Sequence, residues 1–428
     1  MAPDGQYAPV GIGGGARGND ENPIARDAPP RRGAGKGLRS VFRDNLFKDA
    51  KNSILTLVFG AVILFVLYRT FSYVFITARW EVIYDGPLEF YMVGKDFRRT
   101  GISYEMLWAG VYTAVLAMGI GSGLGYDEEA PPMRPRARMA MIGGPMVGIV
   151  FILSMTRTIT PTLLTIGAVG ALVLGNQLGR RMPQGVRRRS AWILLAMTVL
   201  AFGLITDFTP SNIDEFGGLL LTIVVAFAGI SLSFPIGVVM ALARRSTFPL
   251  IRPLAVGYIE LVRGVPLISL LFMGQFALGF LFPPGSDLPG PIPRAIIMIT
   301  LFSGAYVAEV VRGGLQSVPA GQIEAGKALG LSPLTITRQI VLPQALRNSI
   351  PALIGQFISL LKDVSLLVII GLQEMLGIVD VVLARPEFTN QGYTPEAYAF
   401  VGTIYWTLCF SMSRAAQRLE TRLGVGTR

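Results

Sequence analysis

Residues 311–351 read VRGGLQSVPAGQIEAGKALGLSPLTITRQIVLPQALRNSIP and form the one long polar segment in the apolar second half of the chain. This segment predicts two short helices joined by a turn. The first helix covers about residues 320–329, and Gly330 suits the left-handed position that often follows a helix end. Ser332 suits the N-cap of the second helix and Pro333 its first position, where the N–H that proline lacks would be unpaired anyway.

The polar segment is not expected to cross a membrane. A transmembrane helix needs about 20 predominantly apolar residues, and an internal proline removes a helical hydrogen bond. The segment instead carries charges at Glu324, Lys327, Arg338 and Arg347 and prolines at Pro319, Pro333, Pro343 and Pro351. Apolar runs adjoin both of its ends, so we expect a folded loop that docks another protein at the membrane surface.

A spaced pattern within this segment resembles the cytoplasmic coupling loop of the permease subunits of bacterial ABC importers. The family pattern reads E-A-A, three residues, G, nine residues, I-x-L-P. The residues that correspond to it or adjoin it here are Glu324, Ala325, Gly326, Gly330, Leu331, Ile340, Leu342 and Pro343. The one departure is Gly326, where the family usually has alanine, and glycine within a helix costs about 0.5–1 kcal/mol relative to alanine. The resemblance implies a coupling loop at residues 313–349.

Four further stretches resemble the permeases that import polar amino acids. They read GGLLLTIVVAFAGISLSFPIGVVMALARRS from Gly217, YIELVRGVPL from Tyr258, GAYVAEVVRGG from Gly304 and LLKDVSLL from Leu360. The resemblance is most specific to the general L-amino-acid and the glutamate, glutamine, aspartate and asparagine importers of the histidine-permease-like family, whose permeases also carry extra spans ahead of this core. It implies an all-α integral membrane fold with a permease core at residues 217–413.

The resemblance also implies a function and a set of partners. A periplasmic binding protein would deliver an amino acid, a second homologous permease subunit would complete the pore, and a dimer of ATP-binding subunits would drive alternating access in the inner membrane. The chain is then not an enzyme and binds no cofactor, since ATP and magnesium belong to the ATPase. The helices of the coupling loop would sit in clefts of the ATPase and move the attached spans as levers.

The composition is typical of a multi-pass membrane protein. Hydrophobic residues make up 51% of the 428 residues and charged residues 15%, whereas soluble domains have about 25% charged residues. The net charge of +11 is spread between apolar runs, which favours a role in membrane topology over nucleic-acid binding. The chain has no histidine and a single cysteine, Cys409, so we expect no metal-binding or catalytic residues.

Ten apolar runs predict about ten transmembrane helices. They cover residues 54–76, 106–124, 139–155, 161–178, 191–205, 217–242, 254–282, 292–311, 350–372 and 397–412. The run at 254–282 contains Glu260, Arg263 and Pro266, so its first part is expected to lie along the membrane interface.

The sequence divides into five regions. Residues 1–40 have few large aliphatic side chains and predict a disordered cytoplasmic tail, and residues 41–53 fit either an interfacial amphipathic helix or a plain linker. An accessory region at 54–206 holds about five spans, to which no chemistry can be assigned. Its glycines at 119, 121, 123 and 125 would let helices approach closely. The core at 217–413 holds five more spans, and residues 414–428 form a second cytoplasmic tail.

Basic residues indicate which loops face the cytoplasm. With the basic N-terminal tail inside, the cytoplasmic loops carry Arg134, Arg136 and Arg138, then Arg180, Arg181, Arg187, Arg188 and Arg189, then Arg244, Arg245 and Arg252. The opposite loops, which begin at Asp207 and Pro283, are nearly free of basic residues. The coupling loop and both termini are then cytoplasmic. The exception is the first outside loop, which carries Lys95, Arg98 and Arg99. Either the weak second or third span is misread, or an outside loop tolerates these basic residues.

Polar residues inside apolar runs are candidates for the substrate path, because a charge costs about 2.5–3.5 kcal/mol or more at the membrane centre. Lys362, Asp363 and Ser365 lie midway along one run, and Tyr306 and Glu309 share a helix face in another. The alternative is a structural ion pair, for example Lys362 with Glu309. Adjacent residues on a helix point about 100° apart, so at most one of Lys362 and Asp363 should face the path.

Other classes of protein are less well supported. Residues 321–328, GQIEAGKA, approach a phosphate-binding loop, but Ala328 lacks the hydroxyl that would bind magnesium and no strand precedes it. An ion-coupled secondary transporter should show repeated halves and buried titratable groups, and the coupling pattern argues against it. A membrane-embedded enzyme would need a nucleophile or a metal cluster, for which the sequence offers no clear candidate.

Overall fold

The computed structural model describes residues 46–84, 87–124, 159–187, 189–207, 210–283 and 285–423, and in these residues the regular structure is helical. The chain forms two compact units, Met1–Ala78 and Arg79–Arg428. In the first unit, one apolar helix, α1 (Ala50–Thr77), contains the predicted first span. The predicted tail and residues 41–45 of the predicted amphipathic segment lie outside the described residues, and Ala50 to Ser53 belong to α1.

The second unit contains the remaining helices. They are α2 (Glu81–Tyr84), α3 (Leu88–Val93), α4 (Tyr104–Leu124), α5 (Ile159–Arg180), α6 (Ser190–Thr206), α7 (Gly218–Ala243), α8 (Ile251–Gly264), α9 (Leu267–Leu281), α10 (Pro291–Gln316), α11 (Ala320–Ala328), α12 (Pro333–Ile370), α13 (Gly377–Leu383) and α14 (Thr394–Leu423). Short 3-10 turns lie at Phe97–Thr100 and Pro210–Glu215, and a single α-helical turn, which carries no label here, lies at Gln184–Arg187. The predicted all-α membrane fold is confirmed.

Five of the described helices are long and apolar enough to cross a membrane, and a sixth span results if the bent pair α8 and α9 is counted as one. The chain bends by 105° between these two helices, beside Pro266. The bend lies close to the residues Glu260, Arg263 and Pro266, from which the first part of this run was predicted to lie along the membrane interface. The total of about ten spans stays a prediction, and the predicted span 139–155 lies outside the described residues.

Glycines bring α4 and α5 into backbone contact. Gly119 and Gly123 of α4 face Gly175 and Gly179 of α5, and a Cβ added at Gly119 would lie 2.5 Å from the carbonyl oxygen of Leu172. These glycine contacts give a structural role to two of the glycines picked out in the sequence. The two helices run in the same direction, so Leu124 and Ile159 lie at opposite ends of the pair.

The second unit has two ends, which we name by their contents. The coupling end holds residues 317–332, and the distal end holds residues 79–84, 87–103, 210–217, 282–283, 285–290 and 371–393. At the distal end the backbone N–H of Gly217 donates to Val93, that of Gly218 donates to Gln373, and that of Ile292 donates to the carboxylate of Asp214. The loops that begin at Asp207 and Pro283 therefore share one end, opposite the coupling loop. Arg181, Arg244 and Arg252 lie toward the coupling end.

Helix α12 differs from the prediction. The first predicted helix and the corner after it lie where expected, at Ala320–Ala328 and Gly330. The second predicted helix is not short and no separate span begins at residue 350, because one helix runs from Pro333 to Ile370. Pro343 and Pro351 lie inside it and do not break it. The helix widens into a π-helical turn at Ile336–Val341 just before Pro343, and such a turn accommodates a residue that cannot donate to the ladder.

Candidate coupling loop and translocation cavity

A left-handed glycine forms the corner between α11 and α12. Gly330 has a φ of +73°, its N–H donates to the carbonyl of Lys327 at 2.9 Å, and the N–H of Leu331 donates to the carbonyl of Gly326 at 3.1 Å. This pair of hydrogen bonds is the Schellman motif that ends a helix. The next helix is capped by Ser332, whose hydroxyl accepts from the N–H of Thr335 at 3.2 Å. The corner therefore has a defined angle.

Gly326 explains how the two helices of the coupling loop pack. It is buried, and a Cβ at this position would lie 2.9 Å from Cγ1 of Ile336 and 3.4 Å from Cδ1 of Ile340. The glycine that departs from the family pattern thus makes room for two isoleucines of α12. Ile336 and Val341 in turn belong to a buried cluster with residues of α10. The coupling loop is therefore packed against the core of the permease.

The outer surface of the coupling loop lacks partners within the described residues. Glu324 and Ala325 are exposed on α11, and the Glu324 carboxylate makes no hydrogen bond or ion pair there. Leu329 and Leu334, at the corner, are 78% and 76% exposed. One exposed carboxylate and two exposed leucines on the same loop suit a protein partner with an apolar pocket and a basic side chain. The sequence pattern did not single out these leucines.

The last residues of the coupling pattern belong to a long helix. Leu342 and Pro343 lie within α12, which at 38 residues and 1.5 Å per residue is about 57 Å long. The corner and the residues Lys362 and Ser365 therefore lie toward opposite ends of one helix.

Glu309 is the centre of a structural ion-pair cluster, the alternative to a place on the substrate path, but its partners are arginines and not Lys362. Its carboxylate contacts Arg244 at 2.6 Å, Arg312 at 2.9 Å and Arg263 at 3.5 Å. The cluster joins the end of α7, α8 and α10. Tyr306, one turn away on α10, lies 5.6 Å from the Arg263 guanidinium. These predicted path residues therefore lie together near the coupling end, in contact with arginines.

Lys362 and Ser365 line a cavity of about 480 Å³ between α12 and α14. The other lining residues are Leu376, Tyr398, Val401, Gly402, Tyr405, Trp406 and Cys409. Small-molecule sites commonly measure about 300–1,000 Å³ and combine an apolar wall with a few polar groups. Asp363 does not line the cavity, as expected for a residue about 100° from Lys362 on the helix.

Sequence reasoning missed the wall contributed by α14. Its lining residues recur at positions 398, 401, 402, 405, 406 and 409, the spacing of one helix face. Tyr398, Tyr405 and Trp406 combine apolar rings with polar atoms, and Gly402 leaves space between them. That pattern is visible in the sequence, but it is equally typical of a helix packed in a core.

Comparison with known proteins identifies the kind of molecule that carries these features. The family described as binding-protein-dependent transport system inner membrane component matches residues 233–425. An inner membrane amino-acid ABC transporter permease protein, YhdY of Escherichia coli, is 39% identical over 261 residues, which are 60% of this chain and 70% of that protein. The chain belongs to this permease family. The resemblance drawn from the coupling pattern is confirmed, and the ion-coupled alternative gains no support.

Two further relatives show how much of the permease is shared. BztC of Rhodobacter capsulatus, a glutamate/glutamine/aspartate/asparagine transport system permease protein, is 45% identical over 49% of this chain and 48% of its own length. GlnP of Bacillus subtilis, a probable glutamine ABC transporter permease protein, is 36% identical over 48% of this chain and 91% of its own length. This chain is thus a multi-pass permease of the inner membrane, and residues 1–232 precede the family match.

A buried carboxylate braces the cavity of the permease. Glu374 has no exposed surface, and it accepts from the N–H groups of Leu376 and Gly377, both at 2.9 Å, and from the Tyr405 hydroxyl at 2.8 Å. Burial raises the pKa of Glu374 above its ordinary value, and these donors oppose the shift. Because Leu376 and Tyr405 both line the cavity, Glu374 fixes two of its walls relative to each other. Sequence analysis missed this residue.

Proposed function

We propose that the permease imports polar amino acids, of the glutamate, glutamine, aspartate and asparagine class, by alternating access. The observation that carries the proposal is the coupling loop, in which α11 exposes the Glu324 carboxylate and a defined corner at Gly330 leads into one helix that reaches the cavity. The names of the relatives YhdY and BztC support amino acids as the substrate class. The ammonium group of Lys362 and the hydroxyl of Ser365, which both line the cavity, can donate hydrogen bonds to the carboxylate of an amino acid.

The permease would lie in the lipid membrane and work with three kinds of partner. A dimer of ATP-binding subunits would hold ATP and magnesium and receive α11 in its clefts, so this chain needs no cofactor of its own. A second homologous permease subunit would complete the pore, and a periplasmic binding protein would deliver the amino acid at the distal end. Nucleic acid has no part in this assembly.

Within the permease, Lys362 and Ser365 are the residues that we place on the substrate path. Lys362 is exposed to the cavity, and the Ser365 hydroxyl lies one turn further along the same face. Asp363 then supports the path from another face of α12. Tyr306 and Glu309, held among arginines near the coupling end, would brace the helices rather than contact substrate.

The single cysteine of the chain gives a direct test of the cavity. Cys409 lines it, so bound substrate should block alkylation of the thiol. In the complex assembled with its ATP-binding subunit, an amino acid at about ten times its Kd should slow labelling by N-ethylmaleimide roughly tenfold, and Lys362→Met should abolish that protection. The matched control is Cys409→Ser/Thr403→Cys, which moves the thiol to another face of α14. Labelling of Cys409 that no amino acid slows would contradict the assignment of the cavity.

Orientation in the membrane is part of the proposal. We place the coupling end and both termini in the cytoplasm, because the basic loops lie at that end. In a Cys409→Ser background, a cysteine at Ser286 should react with a membrane-impermeant maleimide in intact cells, and one at Ser332 only after permeabilisation. Both positions are exposed. The reverse pattern of labelling would invert the orientation.

A further inference from the structure

The stretch between the first two predicted spans is a folded layer on the permease core. We call residues 79–104 the distal layer, of which 79–84 and 87–104 are described. Val82, Ile83 and Tyr91 have no exposed surface. They belong to a buried cluster whose other members are Met375, Ile378, Val379, Val382, Phe388, Tyr393, Ala397, Phe400, Val401 and Ile404. The first outside loop of the predicted topology therefore packs on α13 and on the first turns of α14.

Polar contacts fix the distal layer in place. The backbone N–H of Arg79 donates to the Glu396 carboxylate at 3.1 Å, and the Tyr393 hydroxyl donates to Glu81 at 2.9 Å. The Arg79 guanidinium also lies 4.2 Å from the centre of the Tyr393 ring. Together with the bond from Gly217 to Val93, these contacts tie the layer to the start of α7 and the start of α14.

The exposed charges of the layer between Gly94 and Gly101 are positive. The side chains of Arg98 and Arg99 are 76% and 72% exposed, whereas their partners Glu89 and Asp96 are each 28% exposed. Lys95 is exposed and makes no ion pair within the described residues. Hydrogen bonding from the Arg98 guanidinium holds the pKa of Glu89 below its ordinary value. Both side chains therefore stay charged, and the Arg98 guanidinium is the more exposed of the two.

We propose that the distal layer is part of the surface on which the extracytoplasmic binding protein docks, and that Lys95, Arg98 and Arg99 contact acidic side chains of that protein. This inference rests on the proposed function. A protein that delivers substrate to the cavity must approach Leu376 and Tyr398 from the distal end, because the coupling loop occupies the other one. The distal layer packs on the segments that hold Leu376 and Tyr398. A binding protein docked there would therefore contact the distal layer.

The position of the layer in the sequence makes it a source of partner specificity. It lies upstream of the family match, which begins at residue 233. Charges at the rim of an interface mainly set the rate of association and the choice of partner. We therefore expect the layer to select this permease's own binding protein rather than to take part in transport.

The experiment measures binding of the binding protein to the ATPase–permease complex in nanodiscs, together with stimulation of the ATPase. Lys95→Gln should weaken binding slightly, and Lys95→Glu/Arg99→Glu should weaken it about tenfold at roughly 50 mM salt. The difference should shrink at roughly 500 mM salt, because ions screen exposed charges. The ATPase rate without binding protein should not change in either variant.

A matched control carries the same change of charge at the other end of the permease. Arg181→Glu/Arg189→Glu, on two exposed residues between α5 and α6, should leave binding of the binding protein unchanged. Equal affinity of the wild type and Lys95→Glu/Arg99→Glu at low salt would overturn the proposal. A difference found only in nanodiscs that contain anionic lipid would assign the patch to lipid headgroups and also overturn it. If the wild type itself shows no stimulation, the proposed function fails instead.

Discussion

Replacing Glu324 by lysine should abolish amino-acid uptake while the permease stays in the membrane at its normal level. Glu324 is exposed and has no partner within the described residues, so the substitution removes no contact that holds the fold together. In the proposed assembly the carboxylate is covered by the ATP-binding subunit, and a reversed charge at such an interface costs about 2–5 kcal/mol. Since about 1.4 kcal/mol is a factor of ten, uptake should fall more than tenfold. Substrate uptake by proteoliposomes with quantified permease measures the loss.

Two substitutions at the corner distinguish docking geometry from charge. Non-glycine residues in the left-handed region cost about 1–2 kcal/mol, and asparagine adopts it more readily than β-branched residues do. A Cβ at Gly330 would meet no atom within 4 Å, so only the backbone conformation is at stake. Gly330→Val should therefore reduce uptake, and Gly330→Asn should retain most of it. Normal uptake in both Glu324→Lys and Gly330→Val would contradict the docking of this loop.

The corner could be predicted from the sequence because every rule that it uses is local. A helix end, a left-handed glycine and a serine cap are decided by residues within one turn of each other. The length of α12 could not be predicted in that way. Pro343 and Pro351 were read as breaks, yet a single missing hydrogen bond is tolerated where a π turn and packed neighbours compensate for it. The five long apolar helices among the described residues could be predicted because apolar length decides them.

The contacts that build the site are long-range, and this is why the sequence did not reveal them. Tyr393 and Glu81 are 312 residues apart, and nothing in either local sequence indicates the other. An ion pair between Lys362 and Glu309 was considered because opposite charges inside spans attract. In the structure the Glu309 carboxylate instead pairs with three arginines from three helices. Glu374 sits in a short loop and was passed over, since its burial depends on α7 and α14. Local sequence patterns therefore predict helices and their ends better than they predict which side chains pair with a buried charge.

The cluster around Glu309 should be the most sensitive ion-pair site in the permease. Glu309→Gln leaves Arg244, Arg263 and Arg312 close together without their shared anion. Breaking a buried pair costs about 3–5 kcal/mol. The arginine side chains are 26–36% exposed, so we expect roughly 2–3 kcal/mol here. Thermal unfolding of the purified complex in detergent should show a lowered Tm.

The matched control is Glu260→Gln, which removes a carboxylate from the same cluster. Glu260 contacts Arg244 at 3.2 Å but is 57% exposed, and an exposed pair contributes about 0–1 kcal/mol. Its effect on Tm should therefore be small. Equal losses in the two variants would show that burial does not decide the energy of this cluster.

The cluster should also affect coupling, because Glu309 ties α10 to α7 and α8, and α10 leads into α11. Glu309→Gln should therefore weaken stimulation of the ATPase by substrate-loaded binding protein. Glu260→Gln should leave that stimulation intact.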